Sequence, residues 1–193
     1  MSNSGIPLNV PNSLTLVRLL LVPVFVVVFY LPYHWSFVAS SAVFVLAAIT
    51  DWLDGYFARK LGQMTPFGAF LDPVADKIMV VMALVLLVSL HDTPWFTIAS
   101  LIIIARELLV SALREWMAEI GKKTSVAVSR IGKVKTFMQM TAIIVLLAAD
   151  PDGANWFLAL GYTSLYLAAL LTMWSAALYL KAAWPELTAR DSE

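Results

Sequence analysis

Six long apolar runs are the feature that most constrains the fold of this chain. A helix that crosses a bilayer needs roughly 20 mostly apolar residues, and Pro and Gly mark the joints between runs of about that length. The runs are 14–31, 37–57, 70–90, 95–117, 134–149 and 156–182. The sequence therefore predicts an all-α integral membrane protein with six transmembrane helices.

Composition excludes several other classes of protein. Of the 193 residues, 61% are hydrophobic and 13% are charged, which is too apolar for a soluble domain of this size. The formal net charge is +0, so no overall field attracts nucleic acid. The chain has no Cys, which excludes disulfides, thiol catalysis and sulfur-ligated metals. We predict one membrane-embedded catalytic domain over 1–193, with a short cytoplasmic or interfacial segment at 1–13 and a cytoplasmic tail at 183–193.

The positions of the cations predict the orientation of the chain. All 13 Lys and Arg residues fit one side of the membrane, whereas the joints near 32–36, 91–94 and 150–155 have none. By the positive-inside rule both termini are cytoplasmic. Trp35, Trp95 and Trp156 fall at the opposite joints, as interfacial aromatic residues do. Residues 1–13 carry no Lys or Arg, so the first run is interpreted as a span and not as a signal peptide.

Four aspartates lie between the second and third runs. Asp51 and Asp54 are i, i+3 neighbours on a helix, and Asp72 and Asp76 are i, i+4 neighbours. The short joint between the two runs makes their helices antiparallel, so we expect the four carboxylates to meet near the cytoplasmic edge. Because acids inside a membrane protein are costly, such a set indicates function. The alternative for any single Asp is a helix-end acid that reaches water.

Two divalent cations would neutralise four carboxylates, and oxygen-only ligation favours Mg²⁺ or Mn²⁺. The two histidines, His34 and His91, fall at the opposite side, which argues against zinc. Paired metals are a known device for displacement at phosphorus. Nearby, Arg59 can bind phosphate bidentately, and Thr65 adds a hydroxyl. The small residues Gly55, Ala58 and Gly68 leave room for a ligand or a close helix.

These residues together resemble the signature of the CDP-alcohol phosphotransferase family. The matching pattern is Asp51-x₂-Asp54-Gly55-x₂-Ala58-Arg59-x₈-Gly68-x₃-Asp72-x₃-Asp76, and no position of the signature departs from it. The resemblance implies six spans, two metals, a homodimer and transfer of a phosphoryl-alcohol unit from a CDP-linked donor to a hydroxyl, with release of CMP. It implies that Asp51, Asp54 and Asp72 are metal ligands and that Asp76 is both a ligand and the general base.

The resemblance also implies where the nucleotide binds. It assigns contacts with the cytidine diphosphate to Gly55, Arg59, Thr65 and Gly68. The pattern Asn12-x₂-Thr15-x₂-Arg18 in the first run is similar to the family too, and implies that Asn12 and Thr15 line the same site. Considered alone, this last pattern is weak, because Asn12 or Ser13 could simply cap the helix.

A group of cations predicts the kind of acceptor. Arg106 and Arg114 are eight residues apart, about 80° around a helix, and Lys133 and Lys135 lie at the start of the fifth run. A helix N-terminus also favours anions. We expect these four cations to hold an acceptor that carries its own phosphate, unless Glu107 and Glu115 pair with the arginines locally. Lys122 and Lys123 are interpreted as charges that face lipid headgroups, and Lys77 as a local partner of the acids.

The order of segments over about 9–180 is similar to the bacterial branch of the family that acts in the inner membrane on CDP-diacylglycerol. In that branch the acceptor is sn-glycerol 3-phosphate and the product is phosphatidylglycerol phosphate. Another acceptor, such as serine, inositol phosphate or phosphatidylglycerol, stays open. A divalent-cation transporter is a remote alternative, disfavoured because its site would lie near the midplane between repeats. A purely structural scaffold would have no use for four clustered acids.

Overall fold

The computed structural model of the chain describes residues 9–62, 65–121, 130–151, 153 and 155–188. In these ranges the secondary structure consists of six helices without a strand. The helices are α1 Val10–Phe29, α2 Trp35–Leu61, α3 Pro66–His91, α4 Pro94–Glu119, α5 Arg130–Ala148 and α6 Asn155–Thr188. Each apolar run of the sequence therefore forms one helix, and the all-α prediction is confirmed for the described residues.

Five of the helices, α1 to α4 and α6, are long and apolar enough to cross a membrane. The fifth helix is 19 residues long and carries Lys133, Lys135 and Gln139 in its first half. The sixth helix continues to Thr188, so 183–188 extend the helix where the sequence predicted a tail. The predicted headgroup-facing Lys122 and Lys123, and Arg190, lie outside the described residues.

Polar side chains cap two of the helices that carry the site. Asn9 caps α1, since its side-chain oxygen accepts from the backbone N–H of Asn12 at 2.9 Å. Asn12 and Ser13, which the sequence offered as caps, lie inside the helix instead. Thr65 caps α3 by accepting from the backbone N–H of Gly68 at 3.0 Å. A Pro in the first turn of α1, α3 and α4 fits because its missing N–H has no partner there.

The apolar core lies between α3 and its neighbours. Phe25, Phe44, Leu84, Phe96 and Leu146 are almost fully buried in it. In contrast, large apolar side chains on the outside are widely exposed, including Leu20 at 67% and Phe70 at 69%. Such an exterior suits lipid and not water.

The two ends of the helix bundle differ in chemistry. At one end, His34 Nδ1 lies 3.5 Å from a carboxylate oxygen of Asp150, and His91 Nδ1 lies 2.9 Å from the hydroxyl of Tyr162. Trp35, Trp95 and Trp156 begin α2, α4 and α6 at this end and are 55%, 73% and 64% exposed. The four aspartates lie at the other end, so both histidines are remote from them, as the sequence predicted.

Candidate active site

A buried arginine holds the two aspartates of α2. The guanidinium of Arg18 lies 2.6 Å from Asp51 through Nη1 and forms a short ion pair with Asp54 through Nη2. The side chains of Arg18 and Asp54 are 1% and 4% exposed, whereas that of Asp51 is 44% exposed. A charge this deeply buried needs a partner, so the three side chains depend on one another. Sequence reasoning did not assign this role to Arg18.

A threonine links the aspartates of α2 to those of α3. The hydroxyl of Thr15 donates to Asp72 at 2.6 Å and lies 3.5 Å from a carboxylate oxygen of Asp54. Thr15 is fully buried, and it lies one helical turn before Arg18 on α1. The first helix therefore provides both groups that lie between the carboxylates. The predicted convergence of Asp51, Asp54 and Asp72 agrees with this geometry.

Asp76 shares a small cavity with Asp51 and Arg18. A small cavity of about 20 Å³ is lined by Arg18, Asp51 and Asp76 together. Asp76 is itself exposed, and it also lines a much larger cavity described below. Asp76 and Asp51 are therefore the two acids that line both cavities, and Asp76 is the one of the two that lies on α3.

The donor chemistry of this cluster fits divalent cations. Four carboxylates form the oxygen-only set that Mg²⁺ and Mn²⁺ prefer, and the Arg18 guanidinium already stands as a cation between Asp51 and Asp54. Within the described ranges, no three Asp, Glu or His side chains are arranged so that they could hold an ion as they stand. In this arrangement Asp51 and Asp54 are held by Arg18, and Asp72 is held by Thr15.

Three of the residues assigned to the nucleotide form one contact group between α1 and α3. The hydroxyl of Thr65 donates to the side-chain oxygen of Asn12 at 3.0 Å. A Cβ atom added to Gly68 would come within 2.6 Å of that oxygen and 3.2 Å of the Thr65 hydroxyl oxygen. Gly68 is thus required for the close approach of Asn12 and Thr65. Asn12 is 1% exposed and forms the buried part of the group, whereas Thr65 lies at the N-terminus of α3.

Two further residues assigned to the nucleotide, Gly55 and Arg59, lie on α2. A Cβ atom at Gly55 would stand 3.8 Å from both terminal nitrogens of Arg59, one turn further along the helix. The Arg59 guanidinium therefore folds back along the helix surface beside Gly55, at the distance of an ordinary contact. Arg59 is exposed, and no ion pair of its side chain is found in the described part of the chain. An exposed guanidinium without an ion pair can bind an anion.

A cavity of about 470 Å³ brings the acidic and basic groups of the sequence to one place. Asp51 and Asp76 line it together with Arg106, Arg114 and Lys135. The cavity is also lined by Lys77, Glu107, Gly132, Gln139, Ser175 and Tyr179. Helices α2 to α6 all contribute to the wall, which explains why no local motif could reveal the whole cavity.

The basic side of the cavity is tied to α6. Arg114 Nη2 donates to the hydroxyl of Tyr179 at 2.7 Å, and the Tyr179 ring lies under the guanidinium at 5.1 Å. Arg106 Nη2 donates to the hydroxyl of Ser175 at 3.3 Å. Ser175 and Tyr179 are four residues apart and face the same side of α6. Sequence reasoning missed both, although their i, i+4 spacing near the end of the last apolar run was visible.

Glu107 lies between two of the predicted acceptor cations. Its Oε1 atom is 3.0 Å from Arg106 Nη1 and 2.5 Å from Lys135 Nζ. The local pairing of Glu107 with Arg106 that the sequence allowed is therefore present, together with a contact to α5 that it did not predict. Lys133 is exposed and is not among the residues that line the cavity, so the structure does not bring it to the other three cations.

Comparison with known proteins identifies the family. A family described as CDP-alcohol phosphatidyltransferase matches residues 8–175. A Pseudomonas fluorescens protein named CDP-diacylglycerol–glycerol-3-phosphate 3-phosphatidyltransferase is 55% identical over 93% of this chain and 92% of its own length. Proteins of the same name from Sodalis glossinidius and Yersinia enterocolitica are 53% and 54% identical, each over 93% of this chain and 97% of its own length. With this extent of match and an acidic signature complete at every position, the chain belongs to the CDP-alcohol phosphatidyltransferase family.

Proposed function

We propose that this chain transfers the phosphatidyl group of CDP-diacylglycerol to sn-glycerol 3-phosphate, which makes it a phosphatidylglycerophosphate synthase. The products are phosphatidylglycerol phosphate and CMP. The names of relatives at 53–55% identity support this activity. The observation that carries it is the 470 Å³ cavity, because carboxylates suited to a metal-bound diphosphate face cations suited to a phosphate-bearing acceptor.

The donor side of the site is formed by α1, α2 and α3. Asp51, Asp54, Asp72 and Asp76 would hold two Mg²⁺ or Mn²⁺ ions, which when bound offset the charge of the donor diphosphate and of the leaving CMP. The exposed guanidinium of Arg59 binds diphosphate oxygens. Asn12, Thr15, Gly55, Thr65 and Gly68 complete the proposed nucleotide contacts. The acyl chains remain among lipids at the apolar exterior of the helices.

Asp76 acts as the general base. It is exposed and lines the large cavity, so it can reach the free primary hydroxyl of the acceptor. As the hydroxyl oxygen attacks the phosphorus that carries diacylglycerol, its proton passes to the Asp76 carboxylate. A P–O bond forms to the acceptor, the P–O bond to CMP breaks, and CMP leaves with the bridging oxygen.

The acceptor side orients the reaction. Arg106, Arg114 and Lys135 bind the phosphate of glycerol 3-phosphate, with Lys133 at the cavity margin. This fixes the acceptor in one direction, so that its free hydroxyl points toward Asp76 and not toward solvent. Such positioning can contribute several kcal/mol to lowering the barrier. A neutral acceptor such as serine would not need three cations.

We further propose that the protein spans the membrane six times, with α5 as a span in addition to α1 to α4 and α6. Both termini lie in the cytoplasm, and the membrane is the inner membrane of a bacterium. The cation distribution supports this orientation. In the first half of α5, Lys135 and Gln139 are buried and line the cavity, so these polar side chains are kept away from lipid. The oligomer proposed is a homodimer, by resemblance to the family.

The test is CMP release by the purified chain in detergent with CDP-diacylglycerol and Mg²⁺. Glycerol 3-phosphate, serine, inositol phosphate and phosphatidylglycerol are offered in parallel. We expect release with glycerol 3-phosphate only, loss of release in chelator, and its return with Mg²⁺ or Mn²⁺. Release with another acceptor would contradict the acceptor assignment. Divalent-ion flux in vesicles without any CMP release would contradict the enzyme and favour a transporter.

A further inference from the structure

Helices α4 and α5 form two walls of the large cavity without packing against each other. In the described residues, no pair of Cα atoms from α4 and α5 lies within 8 Å, whereas each helix packs closely on α6. The ion pair between Glu107 on α4 and Lys135 on α5 crosses this gap at 2.5 Å. Among the hydrogen bonds and ion pairs of the described residues, this pair is the one that joins the two helices that carry the acceptor cations.

The environment of this ion pair makes it more than a surface contact. The Lys135 side chain is 4% exposed and that of Arg106 is 12% exposed, so both charges are largely removed from water. Two like charges at this depth repel each other and need a shared counter-ion. Glu107 provides it through one oxygen, Oε1, which contacts both.

The contacts to Glu107 use only some of the N–H donors of Arg106 and Lys135. An ammonium has three N–H donors and a guanidinium has five. One donor of Lys135 and one of Arg106 reach Glu107, and a second Arg106 nitrogen reaches Ser175. The remaining donors can bind the oxygens of a phosphate. The charged residues that line the cavity are Lys77, Arg106, Arg114 and Lys135 against Asp51, Asp76 and Glu107, so it retains one net positive charge with Glu107 ionised.

We propose that Glu107 is a positioning residue of the acceptor site, which holds Arg106 and Lys135 together across the gap between α4 and α5 so that both can bind one phosphate. This inference rests on the proposed function, since it concerns how glycerol 3-phosphate is bound. Glu107 itself need not touch the substrate. Its role predicts a loss of acceptor affinity on removal, although removing an acid makes the cavity more positive.

The sign of that effect separates positioning from simple electrostatics. In detergent-purified Glu107→Gln, we expect the KM for glycerol 3-phosphate to rise at least tenfold, the kcat to stay within about threefold, and the KM for CDP-diacylglycerol to stay unchanged. Glu115→Gln is the matched control, because Glu115 lies on the same helix, is exposed and does not line the cavity. An unchanged KM for glycerol 3-phosphate in Glu107→Gln would overturn the proposal. A lowered KM would also overturn it, because it would show that the acid competes with the substrate.

A double variant guards against a folding defect. Glu107→Gln combined with Lys135→Met removes both charges of the ion pair that crosses the gap, and it is compared with Lys135→Met alone. If Glu107 acts through Lys135, the double variant raises the KM for glycerol 3-phosphate little beyond the single variant. Independent, multiplying effects would overturn the proposal. A wild-type chain that releases no CMP with glycerol 3-phosphate would instead overturn the proposed function, and the inference with it.

Discussion

The hydroxyl of Tyr179 accepts a hydrogen bond of 2.7 Å from Arg114, and its ring supports the same guanidinium. Tyr179 therefore fixes the direction of a cation that would otherwise move freely at an exposed position. In Tyr179→Phe we expect the KM for the acceptor to rise about three- to tenfold, since one hydrogen bond contributes about 1 kcal/mol. Steady-state kinetics with glycerol 3-phosphate checks this.

Tyr166→Phe provides the control for that variant. Tyr166 lies on the same helix and contacts Tyr162, toward the end of the bundle that carries the histidines. Its KM for glycerol 3-phosphate should equal that of the wild-type chain. Equal KM values in all three proteins would contradict the role of Tyr179.

Replacement of Asp76 by Asn should reduce kcat about 10²- to 10⁴-fold, the usual contribution of a general base. The KM for CDP-diacylglycerol should change less, because three other carboxylates remain. Asp92→Asn, at the opposite end of the same helix, is the comparison and should keep full activity. A folded Asp76→Asn protein with near-wild-type turnover would exclude Asp76 as the base.

Arg18→Met tests the buried ion pairs. The variant leaves Asp54 buried without its cation, and breaking such a pair costs about 3–5 kcal/mol. In chelator, we expect the thermal unfolding midpoint of Arg18→Met to fall by several degrees below that of the wild type. Added Mg²⁺ should raise it more than it raises the wild-type midpoint, because the cation then replaces the lost charge.

Lys181→Met controls for the loss of any one cation, since Lys181 is exposed on α6. It should leave the unfolding midpoint in chelator unchanged. If Arg18→Met behaves in the same way as Lys181→Met, the ion pairs with Asp51 and Asp54 do not stabilise the protein.

Gly68→Ala should separate Asn12 from Thr65. The new Cβ atom would come within 2.6 Å of the Asn12 oxygen, so one of the two side chains must move. We expect a rise of about tenfold in the KM for CDP-diacylglycerol and a smaller change in the KM for the acceptor. Gly55→Ala is the steric comparison, since its Cβ would make ordinary contacts at 3.8 Å, and its unfolding midpoint should match the wild type. A Gly68→Ala enzyme with wild-type KM for CDP-diacylglycerol would contradict the role of this contact group.

The helices were predictable from sequence because apolar runs of spanning length have few alternatives to a helix in lipid. Their ends were less so: Asn9 caps α1 one turn before Asn12, and α6 continues past 182 to Thr188. Hydropathy shows where residues are apolar, whereas caps depend on single hydrogen bonds. For α5, hydropathy does not show that Lys135 is buried and lines the cavity.

The candidate site was also predictable from sequence only in part. The acids of α2 and α3 are close in sequence, so their spacing alone indicated that Asp51 to Asp76 would meet. Tyr179 contacts Arg114 across 65 residues, and Lys135 contacts Glu107 across 28. Contacts of this kind depend on how α4, α5 and α6 pack, and no spacing rule in a single sequence reports that packing.

The position of Arg18 on the first helix also bears on how the protein is made. Translation delivers α1 before α2, so the guanidinium is in place when Asp51 and Asp54 emerge 33 and 36 residues later. The two helices pack extensively and can enter the bilayer as a hairpin whose cation is already matched to its anions. The chain itself thus supplies the counter-charge of Asp51 and Asp54 at the moment the second helix joins the first.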